Sequence, residues 1–252
     1  MAKVHVTAKR DFIETLTTAK PLAALAEIIW NGFDANANKV QVFLVLNDLK
    51  RIETIRIRDF GYGIDHSKID AFFGNLGDSW KKAKHREFYR VLHGKNGKGR
   101  FKAFALGKNI EWSTTYQDPK NNKYFSYKIV GNASTIDDFE ISDPAETNNR
   151  STGTEVIIYN PEYDFRSLRD GQIYLELAKI FAVYLTEYPG LILEYDGIKV
   201  DPQSVQSNYA DYPLGVRISS VVYSIQENTV DEHTQTHSLN IIGSSGNLAA
   251  VS

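Results

Sequence analysis

Cysteine is missing from the 252-residue chain, which excludes both a disulfide framework and a thiolate metal site. The six histidines stand at scattered positions, and none of them forms the close helical pair that a zinc hydrolase needs. At this length the chain can instead bury a substantial apolar core.

Long apolar runs are also missing. No stretch approaches the ~20 apolar residues of a membrane span. The basic N-terminal stretch MAKVHVTAKRDF is not followed by the apolar segment of a secretory signal. We therefore expect a cytoplasmic protein without membrane contact.

The chain has no large excess of charge of either sign. Its formal net charge is −2 and its pI is near 6.3. This balance gives no general attraction to nucleic acid and disfavours a dedicated nucleic-acid-binding module. Contact with nucleic acid through other domains of a longer protein stays open, but this chain does not support it.

Apolar periodicity and turn residues predict an α+β fold. A helix begins at Pro21, and its apolar spacing continues to Ala37. After it we expect strands at 40–46 and 52–59, a short amphipathic span at 66–73, a mobile loop at 75–100, a helix start in FKAFALG, strands at 109–116, 124–130 and 153–160, an acidic turn-rich region at 132–150, a helix at about 167–188 and a strand at 191–197. Strands segregated from helices favour a mostly antiparallel sheet covered by helices over repeated βαβ units.

Composition divides the chain into three regions. Residues 1–200 are expected to form the main domain. Residues 201–241 contain short β-like runs such as VRISSVVYSI and are expected to begin a second, truncated β-containing domain. Residues 242–252 are expected to be a flexible tail, of the small-residue kind that expression vectors add.

The first candidate site lies on the N-terminal helix. Glu27, Asn31 and Asp34 are spaced by four and three residues and share one helix face within about 60°. For three polar residues alone, an ordinary solvated face explains the pattern equally well. The stripe is flanked by small or apolar residues, Ala23, Ala24, Trp30 and Ala35. A solvated face usually carries more charge, so these neighbours favour a site.

The second candidate motif is DFGYG at 59–63, at the end of a predicted strand. A carboxylate at a strand end can accept a hydrogen bond from an amine-bearing ring, and glycine lets a ligand approach the backbone. Taken alone, the motif is more often an ordinary Asp-Gly turn.

The third candidate motif is GKNGKGRFK at 94–102. Glycines before a helix expose backbone N–H groups that suit a phosphate. The motif is not a Walker A sequence, because Arg100 and Phe101 follow Gly99. A flexible basic loop is the alternative interpretation.

In their order and spacing, the three motifs resemble those of the GHKL superfamily, which includes the gyrase ATPase subunit, heat-shock chaperones, sensor histidine kinases, MutL and the MORC ATPases. Residues 27–35 resemble its N box (E-x-x-x-N-x-x-D-A), residues 59–63 its D-x-G-x-G box and residues 94–99 its G-x-x-G-x-G lid box. Residues 151–156 are similar to its last box. The resemblance covers about residues 20–200 and is closest to the MORC and MutL branches around residues 97–108.

The resemblance implies a Bergerat-type two-layer sandwich that binds Mg-ATP and hydrolyses it to ADP and phosphate. Glu27 would be the general base that deprotonates the attacking water. Asn31 would bind Mg²⁺ through its amide oxygen, and Asp34 would lie near the base of the pocket.

The same resemblance implies how the nucleotide is held. Asp59 would accept the adenine amino group with support from Thr154, and Gly61 and Gly63 would let the nucleotide approach. The lid residues Gly94, Gly97, Lys98 and Gly99 would close over the phosphates. Lys81 and Lys82 are weaker candidates for phosphate contact.

Three other interpretations stay open. A nucleotide-gated interaction module would use ATP to dimerise, with negligible turnover. A histidine-kinase domain would transfer phosphate, but no histidine stands in a recognisable dimerisation helix. A domain whose Gly and Asp residues only make turns is the least favoured. For a longer protein the resemblance implies an ATP-dependent homodimer, with a γ-phosphate lysine from a transducer-like domain.

Overall fold

A computed structural model describes residues 2–5, 19–74, 86–87, 90–93, 99–136, 138–161, 163–205, 208–214 and 237–243. Its α-helices are α1 (Pro21–Asp34), α2 (Gly99–Lys102), α3 (Arg166–Arg169) and α4 (Ile173–Glu187). Short 3₁₀ turns lie at His66–Lys68, Ala103–Ala105, Ala133–Thr135 and Pro202–Val205, and a π-turn lies at Asp70–Gly74. No helix in these ranges has the length and apolarity that a membrane span requires.

The described strands build one large sheet and two small pairs. In chain order they are β1 (Ala2–His5), β2 (Lys39–Leu46), β3 (Ile52–Asp59), β4 (Arg86–Glu87), β5 (Arg90–Val91), β6 (Asn109–Gln117), β7 (Tyr124–Asn132), β8 (Asp138–Ile141), β9 (Ala145–Glu146), β10 (Gly153–Tyr159), β11 (Ile192–Tyr195), β12 (Ile198–Lys199), β13 (Asn208–Leu214) and β14 (His237–Gly243). The large sheet has the order β1-β8-β7-β6-β10-β3-β2-β11-β12, with β9 beside β7. Only its β11–β2 pairing is parallel among the described pairs.

The core lies between this sheet and the helices. Leu25, Ile29 and Phe33 share one face of α1 and are at most 1% exposed. Helix α4 packs Phe181 against the ring of Phe33. The covered sheet face presents buried apolar side chains, namely Val40, Val42, Ile55, Ile57, Ile110, Ile129, Phe139 and Ile158. Burial of each side chain of this size stabilises the folded state by about 1.5–3 kcal/mol. The apolar positions that recur in the sequence therefore form the interface of a two-layer α+β sandwich, as predicted.

Helix α1 begins where the sequence predicts and ends earlier. Pro21 stands in its first turn, where a missing N–H costs nothing. The predicted end at Ala37 is wrong, because the helix stops at Asp34 and Asn36 adopts a left-handed φ of 61°. Asparagine tolerates this conformation and ends helices in the way that glycine does.

The predicted helix at 167–188 is two helices. Helix α3 ends at Arg169, and Asp170 has an extended ψ of 139°. The Asp170 carboxylate accepts a hydrogen bond from the Gln172 N–H at 3.0 Å. A hydrogen bond from the nearby backbone to an Asp side chain competes with the hydrogen bonds of a helix. At Asp170, which is followed by Gly171, this competition interrupts the helix.

Two further predictions differ from the structure. The region 132–150 contains β8 and β9, which extend the sheet beyond β7. Much of the predicted loop at 75–100 lies outside the described residues, and its described parts include the short β4–β5 pair. The β-like run 216–225 also lies outside them, while β13 and β14 pair with each other.

Candidate functional site

Asp59 lies at the end of β3 in the middle of the sheet and is 7% exposed. The Gly61 N–H donates to its Oδ1 at 2.8 Å, and the Thr154 backbone also hydrogen-bonds the carboxylate. Burial raises the pKa of Asp59 to about 6, and the hydrogen bonds and the charge of Arg58 offset only part of this increase. The structure therefore holds a hydrogen-bond acceptor under the helix layer, fixed by backbone donors.

Two threonines on neighbouring strands continue this polar floor. Thr154 of β10 lies opposite Thr114 of β6, and their hydroxyl oxygens are 3.1 Å apart. The Ile64 N–H donates to the Thr114 hydroxyl at 2.9 Å. Both threonines are buried. Thr114 was missed from the sequence, and only the strand register reveals it as the partner of Thr154.

Gly61 and Gly63 are required by the packing of the chain itself. A Cβ at Gly61 would lie 2.2 Å from the Ala35 carbonyl oxygen. Gly63 has a φ of +73°, and its Cβ would lie 2.1 Å from the Thr115 carbonyl oxygen. That these glycines also let a nucleotide approach stays a prediction.

Two further glycines enclose Asp59; neither was predicted as a site residue, although Gly153 stands in the last box. A Cβ at Gly32 of α1 would lie 2.8 Å from the Asp59 Cβ. Gly153 has a φ of +126°, and its Cβ would lie 2.2 Å from the Asp59 carbonyl oxygen. A glycine inside a helix costs about 1 kcal/mol relative to alanine. The presence of Gly32 within the predicted helix was therefore the sequence feature that could have indicated a close contact there. These glycines let α1 and β10 approach the carboxylate closely.

The three polar residues of α1 differ in their surroundings. Glu27 is half-buried, Asn31 is exposed and Asp34 is 3% exposed. They lie on one helix as predicted, but they differ in burial. Glu27 and Asn31 are accessible to a ligand, whereas Asp34 is packed within the protein.

Asp34 holds the segment that leads into the lid. The His93 N–H donates to Asp34 Oδ1 at 2.8 Å. The His93 ring stacks on Trp30 with a centroid distance of 3.5 Å, and Trp30 contacts Phe181 of α4 at 4.4 Å. This role of Asp34 was not predicted, and its predicted contact with nucleotide stays a prediction.

Arg90 fastens the same segment to the end of α1. Its guanidinium donates to the Ala37 carbonyl at 2.8 Å and to the side chain of Asn36. The Val91 N–H donates to the Tyr188 hydroxyl at 3.3 Å. The segment 90–93 is therefore fixed to α1 and α4.

The lid box lies mostly outside the described residues. Gly94, Gly97 and Lys98 fall there, as do Lys81 and Lys82, so their predicted phosphate contacts stay predictions. Gly99 begins α2, which is only four residues long and continues as the 3₁₀ turn Ala103–Ala105.

Lys102 connects the end of α2 to α1. Its Nζ lies 2.5 Å from Glu27 Oε1, and the two side chains are 28% and 29% exposed. The contact was missed from the sequence, where Lys102 appears only as part of the basic lid motif.

The side chain of Asn31 is the described group that could hold the predicted magnesium ion. Within the described ranges, no group of three or more His, Cys, Asp or Glu could hold a metal ion. Mg²⁺ commonly takes one or two protein oxygens and completes its shell with phosphate and water. The exposed amide of Asn31, one turn from Glu27, fits such a ligand.

The comparisons with known proteins agree with this geometry. A family model described as histidine kinase-, DNA gyrase B- and HSP90-like ATPase matches residues 19–154, which is more than half of the chain. The matched stretch contains α1, Asp59, the lid box and Thr154. A comparison with curated proteins gives no match. The chain belongs to the histidine kinase-, DNA gyrase B- and HSP90-like (GHKL) ATPase family.

Proposed function

We propose that the chain binds Mg-ATP between α1 and the polar floor of the sheet and hydrolyses it to ADP and phosphate. The observation that carries the proposal is the buried carboxylate of Asp59, bonded to the Gly61 and Thr154 backbones. A buried carboxylate without a ligand is a cost to folding. A ligand that donates a hydrogen bond to it explains why the cost is tolerated.

At the adenine end, Asp59 accepts the amino group of the base. Thr154 and Thr114 supply hydroxyl groups beside it, and these can bind ring nitrogens directly or through water. Because Gly32 has no side chain, α1 packs closely against Asp59, and the carboxylate stays under this helix. This end recognises the base, so it binds ATP and ADP alike.

At the phosphate end, Glu27 acts as the general base. The water oxygen forms a bond to the γ-phosphorus, and the bond between this phosphorus and the β–γ bridging oxygen breaks. ADP leaves with that electron pair, and Glu27 takes a proton from the water. Glu27 is half-buried on the same helix face as Asn31, one turn away.

Asn31 would hold Mg²⁺ through its amide oxygen, and the bound ion neutralises negative charge on the phosphates. Gly94, Gly97, Lys98 and Gly99 would supply backbone N–H groups and charge around the phosphates. Asp34 supports this end indirectly, because it holds His93, the residue before Gly94.

Two substitutions separate binding from turnover. Asp59→Asn should abolish nucleotide binding in calorimetry, because an amide offers an N–H where adenine needs an acceptor. Glu27→Ala should keep binding and lower phosphate release by about 10²–10⁴-fold. Glu111→Ala is the control, because Glu111 pairs with Lys128 on the opposite sheet face. Turnover by Glu27→Ala at the wild-type rate would refute the base assignment, and wild-type affinity in Asp59→Asn would refute the adenine site.

A nucleotide-gated module with negligible turnover is the second candidate, since Glu27 is already engaged by Lys102. In a longer protein, ATP would then drive homodimerisation, which size-exclusion chromatography with a non-hydrolysable analogue tests. An unchanged elution volume opposes this candidate. Assignment to the MORC or MutL branch rests on residues 97–108 alone.

A further inference from the structure

Lys102 and Glu27 form an ion pair inside the candidate phosphate site. Nζ lies 2.5 Å from Oε1, a charge-assisted hydrogen bond. Both side chains are partly exposed, at 28% and 29%, and water screens such an ion pair and reduces its contribution to folding. A contribution to stability is therefore not a sufficient explanation for a lysine that pairs with this carboxylate.

The backbone around Lys102 is anchored while its side chain reaches the site. Phe101 is fully buried in the core, as are the neighbouring Ala103 and Leu106. The flexible stem of lysine lets its ammonium exchange partners without movement of α2. Lys102 stands three residues after Gly99, the last glycine of the lid box.

Two arginines whose side chains the structure describes, Arg90 and Arg58, are already engaged elsewhere. Arg90 donates to Ala37 and Asn36, and Arg58 donates to the Thr152 carbonyl and lies over the Phe60 ring. Lys102 instead pairs with the residue proposed as the base. The ammonium that donates to Oε1 occupies one acceptor position of the carboxylate that would take a proton from water.

We infer that Lys102 is the lysine that contacts the γ-phosphoryl group of ATP, and that the same side chain holds Glu27 when this group is absent. The inference rests on the proposed ATPase function. The γ-phosphoryl group carries more negative charge than one carboxylate, so it draws the ammonium away and frees Oε1 of Glu27 to accept the proton of water. With ADP, Lys102 stays on Glu27. The domain would then carry its own γ-phosphate lysine.

The test compares a non-hydrolysable ATP analogue with ADP by calorimetry, in the presence of Mg²⁺. Lys102→Met keeps the apolar stem and removes the charge. It should reduce the preference for the analogue over ADP by about tenfold or more, because a charged hydrogen bond to phosphate is lost. The affinity for ADP should change little, and phosphate release from ATP should fall. Lys102→Arg should retain most of the preference.

Lys128→Met is the matched control, because Lys128 pairs with Glu111 at 2.9 Å on the far face of the sheet. It should leave the preference and the turnover unchanged. If Lys102→Met does not fold, Lys102→Gln, which keeps a polar end, replaces it in the same measurements.

Each other result overturns the inference. Equal losses for the analogue and ADP, or an unchanged preference, would make Lys102 structural. Faster phosphate release with an unchanged preference would make it only a brake on Glu27. These results differ from failure of the proposed function, in which the wild-type chain binds neither ADP nor the analogue.

Discussion

Asp59 combines two properties that usually conflict, because it is a carboxylate and it is buried. Its pKa is raised to about 6 by burial, so the folded state holds the charged form at a cost. A group whose folded pKa lies above its unfolded value destabilises the protein as pH rises between the two. The penalty is absent well below pH 4 and complete above about pH 7.

Asp59→Asn should therefore stabilise the protein at pH 8 while it abolishes nucleotide binding. The difference between pKa values of 3.8 and about 6 corresponds to about 3 kcal/mol. Weaker hydrogen bonding by the amide reduces the expected gain to about 1–3 kcal/mol. Urea unfolding at pH 8 and pH 5 measures it, and the gain should be smaller at pH 5 by about 1.4 kcal/mol, because the carboxyl group of folded wild type is then mostly protonated.

The contrary result is a variant less stable than wild type at pH 8. It would mean that the backbone donors of Gly61 and Thr154 stabilise the carboxylate more than burial destabilises it. Asp118→Asn serves as a control, because Asp118 is half-exposed in a surface turn and should show no comparable gain.

At the scale of single residues, the sequence predicted which types matter but not their partners. Asp59 and Thr154 follow from motifs, and the structure brings them into contact. Thr114 and Lys102 could not be predicted, because each becomes relevant only through a neighbour distant in the chain. Thr114 depends on strand register, and Lys102 depends on how α2 packs against α1.

Helix α1 lies so close to the end of β3 that a Cβ at Gly32 would lie 2.8 Å from the Asp59 Cβ. The sequence indicates the helix through apolar spacing, which placed Leu25, Ile29 and Phe33 in the core. It does not indicate the distance between layers, because that depends on tertiary contacts. The break between α3 and α4 was likewise not predicted. The apolar pattern is continuous there, and it does not reveal that the Asp170 side chain accepts a hydrogen bond from the Gln172 N–H.

Gly32→Ala should destabilise the protein although alanine favours a helix by about 1 kcal/mol. Its Cβ would meet the Asp59 Cβ at 2.8 Å and the Val40 Cγ2 at 3.0 Å. Overpacking of this kind costs about 1–3 kcal/mol and should also weaken nucleotide binding, because Asp59 moves. Thermal unfolding and calorimetry measure the two effects.

Gly190→Ala is the matched control, since nothing lies within 4 Å of a Cβ at that position. It should leave stability and binding close to wild type. A Gly32→Ala variant that is more stable and binds normally would show that the layers separate without cost, and would remove Gly32 from the site.

On the scale of the whole molecule, the folding unit extends beyond the stretch that the family model matches. The match ends at residue 154, but β10 continues to Tyr159 between β6 and β3. Strand β11 then adds to the sheet beside β2 in parallel. The Tyr195 hydroxyl donates to the Leu168 carbonyl at 2.6 Å, which ties this strand to α3.

Helix α4 covers the aromatic face of α1, so the C-terminal part protects the site as well as the core. Phe181 contacts Trp30 at a centroid distance of 4.4 Å and Phe33 at 6.0 Å. Without α4, these rings would lose their cover, and so would His93, which stacks on Trp30. The segment before the lid depends on the same contact.

A chain that ends at residue 205 should therefore fold and bind nucleotide, whereas one that ends at residue 160 should not fold cooperatively. The first keeps β11 and the residues from Leu191 to Val200 that join the core, while the second removes α3, α4 and β11. Urea unfolding by circular dichroism, with calorimetry on ADP, distinguishes them, because loss of a core layer removes the cooperative transition. A cooperative, ADP-binding chain of 160 residues would mean that β11 and α4 are dispensable. Failure of the 205-residue chain would mean that residues 206–252 belong to the folding unit, against the predicted domain boundary near residue 200.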